Sequence, residues 1–93
     1  MEMIKLDGAL LRERKEAMAL LGQALSLPPW WGRNLDALHD CLTDLGRPVR
    51  LELGPRETIG ETAFGQLLLR VLEDAAAETP GLELSFEPNG GPR

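Results

Sequence analysis

Pro48-Val49-Arg50-Leu51-Glu52-Leu53 alternates apolar and charged side chains, the period-two pattern of a strand with one buried face. Gly54-Pro55 breaks it, and helical patterns lie on both sides. Upstream, Ala17, Met18, Leu21, Ala24 and Leu25 recur at three- and four-residue spacing and predict a helix from about Arg12 to Leu25. Gly22 weakens that helix by about 1 kcal/mol relative to alanine, so a close packing neighbour is expected there. Leu27-Pro28-Pro29 ends it, because proline donates no N–H and restricts the residue before it. Asn34 reads as the N-cap of a second helix, Leu35 to about Leu45, with Gly46 as its stop. Downstream, Arg56 to Gly60 predicts a short helical turn. Phe64, Leu67, Leu68, Val71, Leu72 and Ala75 mark a long amphipathic helix over 61–79, ended by Pro80-Gly81. Met3–Leu6, closed by the turn dipeptide Asp7-Gly8, and Leu82–Phe86 are the outer strands. Strands joined through helices pair in parallel with right-handed crossovers. The expected class is α/β, two-layer, with a three-stranded parallel sheet packed with about four helices.

Size and charge narrow the function. The chain has 93 residues and a formal net charge of −5. That is expected to make one domain over 1–87, with a polar, glycine-rich and disordered tail over 88–93. A net negative charge disfavours direct binding of nucleic acid, which needs a basic face. The single cysteine, Cys41, forms no internal disulfide and no metal-ligand cluster. No apolar run is long enough to span a membrane, and the N-terminus lacks the pattern of a signal peptide. A cytoplasmic location is the default expectation.

The acidity is concentrated. Residues 34–46 hold Asp36, Asp40 and Asp44 and no Lys or Arg, whereas the first helix mixes signs. At ~100° per residue, Asp40 falls ~40° and Asp44 ~80° from Asp36. Leu35, Leu38, Cys41, Leu42 and Leu45 cluster on the opposite side, and His39 and Thr43 flank the aspartates. Like charges at i,i+4 cost a helix about 0.2–0.5 kcal/mol per pair. Asp36 is favoured by the dipole of the first turn, but Asp40 gains nothing from it and Asp44 is opposed by it. Trp30 and Trp31 precede this helix, and adjacent side chains in an extended loop point apart. One is expected to pack inward and the other to stay beside the acids, as aromatics at protein interfaces do.

Leu25-Ser26-Leu27-Pro28-Pro29-Trp30-Trp31-Gly32-Arg33-Asn34-Leu35-Asp36-Ala37-Leu38-His39-Asp40-Cys41-Leu42-Thr43 resembles the signature of the barstar family, intracellular protein inhibitors of bacterial ribonucleases. The shared elements are the Leu-Pro pair, the aromatic pair, Gly, Asn-Leu-Asp-Ala-Leu and Asp-Cys-Leu-Thr. The resemblance implies a loop and helix that plug a basic active site in place of RNA. It implies that Asp40 is the central anion, Asp36 a second charge contact, and Trp30 an aromatic packed on the catalytic histidine. Asn34, Leu35 and Thr43 match further contact positions, Gly32 fits the presenting loop, and Asp74 in the long helix matches an outlying acidic contact. Trp31, His39 and Asp44 complete the candidate partner-binding set. Three positions depart from the pattern. His39 stands where the family has an interface tryptophan, Asp44-Leu45 replaces a glycine–tryptophan pair, and Arg33 replaces an acid.

Enzyme chemistry finds little support in the sequence. His39 and Cys41 lie ~200° apart on a helix and do not meet. Asp36, His39 and Asp40 share a face, but no second ligand cluster accompanies them. The glycines form no phosphate-binding loop, and no metal or cofactor is implied. The expected function is an intracellular inhibitor, an immunity protein for a basic extracellular-type ribonuclease bound 1:1. The competing expectation is a barstar-like interaction or regulatory module whose partner is not a ribonuclease, since fold does not fix function.

Overall fold

A computed structural model describes residues 1–88. The elements in order are β1 (Glu2–Leu6), a 3₁₀ turn (Gly8–Leu11), α1 (Arg14–Ala24), α2 (Leu35–Thr43), β2 (Val49–Leu53), α3 (Arg56–Ile59), α4 (Ala63–Glu78) and β3 (Leu82–Phe86). The expected tail lies, beyond Pro88, outside the described residues. The strands form one three-stranded parallel sheet in the order β1-β2-β3. Val49 stands opposite Glu2 on one side and Leu82 on the other. The alternation in β2 does what its period predicts. Val49, Leu51 and Leu53 are fully buried under the helices, while Arg50 and Glu52 point to the open face of the sheet. There Arg50 pairs with Glu83 of β3 at 3.1 Å. The helices cover the other face, giving two layers around one core in which Leu21, Leu38, Leu42, Leu51, Leu68 and Leu72 are fully buried.

Three boundaries differ from the sequence reading. The expected first helix is broken at its start. Asp7 caps the 3₁₀ turn by accepting from Ala9 N at 2.9 Å, and α1 begins only after Glu13, which is extended. The Arg12 carbonyl is meanwhile taken by the Thr62 hydroxyl at 2.6 Å, a long-range bond that withdraws it from the helix. At its other end α1 stops before the prolines act. Ser26 adopts left-handed backbone (φ 55), with Leu27 N donating to Gly22 O at 2.9 Å and Ser26 N to Gln23 O at 3.2 Å. That is the paired bonding of a Schellman motif, with serine where glycine is usual. Finally, α2 ends at Thr43 rather than Leu45. Asp44 is its C-cap, and its N–H is shared between Asp40 O and Cys41 O.

The expected N-cap is in place. Asn34 Oδ1 accepts from Ala37 N at 2.7 Å, which starts α2 immediately after the tryptophan loop. Asn34→Ala is expected to lower stability by about 1 kcal/mol, read as a fall in the urea midpoint at unchanged slope.

Candidate functional site

The loop before α2 is built by a turn and two left-handed residues. Trp31 N donates to Pro28 O at 3.1 Å, with Pro29 at the turn position its fixed φ favours. Gly32 (φ 92) and Arg33 (φ 51) then reverse the chain into the Asn34 cap. This path sends the two tryptophans apart. Trp31 is 7% exposed and belongs to the core, whereas Trp30 is 81% exposed. Gly22 explains how Trp31 fits. A Cβ at position 22 would lie 2.8 Å from the Trp31 indole nitrogen, so the helix gives up its side chain there to admit the ring. The structure places Trp31, counted above among the contact candidates, in the core beneath the loop, where it packs against Gly22.

On α2, Leu38 and Leu42 are fully buried and Leu35 is half-buried against the core. The opposite side carries the acids. Asp36 and Asp40 are exposed, and the Asp40 side chain is 87% exposed. His39 lies between α2 and α4. Its Nε2 stands 3.3 Å from Glu78 Oε2, and its Nδ1 stands 3.9 Å from Asp40 Oδ1. Thr43 turns its hydroxyl back onto its own helix, donating to Asp40 O at 3.1 Å. Asp44 is exposed at the helix end. Asp74 is exposed on α4, one turn or ~6 Å of axial rise before Glu78.

Glu78 is a residue of this face that is not among the candidates read from the sequence. It ends α4, and it also meets His39. The signal available was its i+4 relation to Asp74, which puts both on one stripe. The contact itself depends on how α4 lies against α2, which no local pattern states.

Four arginines pair with glutamates elsewhere on the surface. Arg47 meets Glu2 at 2.9 Å, Arg50 meets Glu83, Arg12 meets Glu61 at 3.4 Å, and Arg56 meets Glu73. Among the described residues, no Lys or Arg comes within 4.0 Å of Asp36, Asp40, Asp44 or Asp74. Only His39 approaches Asp40. The carboxylates of this face thus remain available to cations from outside. A concavity of about 700 Å³ between α3 and α4 has Asp74 on its lining but no residue of α2 or of the tryptophan loop.

Cys41 is half-buried beside the acids. Burial, and then the charges of Asp40 and Asp44, push its thiol pKa up. The thiolate is the nucleophile, so each of these effects makes the sulfur less reactive. Asp36, His39 and Asp40 gather no metal-holding group, and no cluster of three such ligands occurs among the described residues. No helix of the described residues is long and apolar enough to cross a membrane.

Fold and site together define a two-layer α/β domain that presents unpaired carboxylates on one helix beside an exposed tryptophan. Residues 1–87 match the family model described as Barstar (barnase inhibitor). The chain belongs to the barstar family. A comparison with curated proteins finds no match.

Proposed function

We propose that the chain is an intracellular inhibitor of a barnase-like secreted ribonuclease, an immunity protein that blocks the enzyme's basic active site in a 1:1 complex. The observation that carries this reading is the unpaired aspartate face of α2 and α4 beside Trp30, in a chain of the barstar family. A ribonuclease active site holds cations to bind the scissile phosphate. Asp40, central and exposed, meets those cations in place of phosphate. Asp36, one turn earlier, and Asp74 on α4 extend the negative surface over the groove. Trp30 supplies a flat apolar surface that stacks on a ring in the enzyme. Trp31 and Gly22 hold the loop, and the Asn34 cap fixes where α2 begins, so little ordering is left to be done on binding. A cytoplasmic location follows from this role, because the ribonuclease threatens the RNA of the cell that makes it.

The test is a titration of the protein into a panel of barnase-type ribonucleases, barnase included, with RNA cleavage as readout. Activity of a target enzyme is expected to fall linearly to zero at one equivalent. The association rate is expected to fall steeply with added salt, because the attraction is between exposed charges that ions screen. Full activity of every ribonuclease at excess protein contradicts the proposal. Recovery of an unrelated protein as the stable partner then favours an interaction module instead.

A further inference from the structure

We infer that Arg33 determines specificity at this face by pairing with a carboxylate on the rim of the partner's active-site groove. The inference rests on the ribonuclease-inhibitor reading and names a feature of the partner.

Arg33 is exposed and lies between Trp30 and α2. Local stability does not account for an arginine there. Its backbone is left-handed (φ 51), which disfavours any residue with a Cβ. It stands just before the Asn34 cap, at the positive end of the α2 dipole, where a cation is disfavoured. It is also without compensation. No carboxylate among the described residues lies within 4.0 Å of its guanidinium, as is also true of Arg14 and Arg70, whereas Arg12, Arg47, Arg50 and Arg56 each meet a glutamate; of the three without one, Arg33 alone has left-handed backbone.

The position makes sense as part of the face. A uniformly basic partner surface would repel a cation held at the edge of the loop. A basic groove with an acidic residue on its lip would accept the aspartates and Arg33 together. The guanidinium is a planar fork that matches a carboxylate with two parallel hydrogen bonds. The same cation rejects a ribonuclease that carries Lys or Arg at that point of the rim, so one residue both selects and excludes.

The test uses whichever ribonuclease the wild-type protein inhibits in the panel. Arg33→Gly is expected to raise the unfolding midpoint, since the left-handed strain is relieved, and yet to weaken binding. A purely structural role would not move the two in opposite directions. Arg33→Glu is expected to weaken binding about tenfold. The rim Asp and Glu residues of the ribonuclease are then changed to Lys one at a time. One of these changes is expected to restore binding to Arg33→Glu while impairing binding to wild type. If Arg33→Glu binds as tightly as wild type, or if no rim change restores it, the inference is overturned. Asp40→Ala run in parallel keeps the two levels apart. If Asp40→Ala loses affinity while Arg33→Glu keeps it, only the inference about Arg33 fails. If Asp40→Ala also binds like wild type, the inhibitor reading fails and the inference with it.

Discussion

Asp40→Ala is expected to weaken binding to the target ribonuclease by about 3–5 kcal/mol, the usual cost of leaving a buried charge without its partner. That corresponds to roughly a hundred- to several-thousand-fold in Kd. The cost falls on the enzyme, whose cations are buried in the complex with nothing to meet. In the free protein the same substitution removes little. The Asp40 side chain is 87% exposed and meets no Lys or Arg among the described residues. It also sits at i,i+4 from both Asp36 and Asp44, and each such like-charge pair costs about 0.2–0.5 kcal/mol. Unfolding in urea is therefore expected to show an unchanged or slightly raised midpoint. Lost affinity without lost stability marks a residue kept for binding. A variant that is destabilised yet binds normally would assign Asp40 to the fold instead.

The two tryptophans are expected to separate in the same way. Trp31→Ala opens a cavity in the core and is expected to cost about 3–5 kcal/mol of stability. Gly22 deepens the loss, because the helix face shaped to admit the indole has no side chain to fill the gap. Trp30→Ala is expected to change stability by no more than about 0.5 kcal/mol, because the ring is 81% exposed. Its loss at the interface is expected to cost about 2 kcal/mol or more of binding, as aromatic anchors do. Urea unfolding and titration calorimetry on the two variants check both halves. Equal destabilisation by the two substitutions would mean that the loop does not hold one ring in and the other out.

The repeating parts of the fold are readable from the sequence because burial imposes them residue by residue. Val49, Leu51 and Leu53 alternate because a pleated strand turns every second side chain to the core. Leu38 and Leu42 recur at helical spacing because α2 lies on that core. Asn34 is readable as a cap because its side chain acts on a donor three residues away. What escaped the reading is set by partners distant in sequence or by a tolerated backbone cost. The break before α1 depends on a Thr62 hydroxyl bonded to the Arg12 carbonyl, 50 positions away. The stop at Ser26 uses a left-handed serine, where a glycine would have announced it. The contact of Glu78 with His39 arises only when α4 is laid against α2. The candidate site was legible as a stripe of aspartates. Its lack of Lys or Arg partners was not, because that depends on where the basic side chains of the described residues lie once the chain is folded.

Competition at the ribonuclease active site tests the central proposal most directly. The protein is titrated into a target enzyme that is empty, and into the same enzyme saturated with a short non-cleavable oligonucleotide. Mutually exclusive binding is the predicted result, with the apparent affinity of the protein falling in proportion to the oligonucleotide's occupancy. Equal affinity for the empty and the filled enzyme would contradict the proposal that the aspartate face takes the place of RNA.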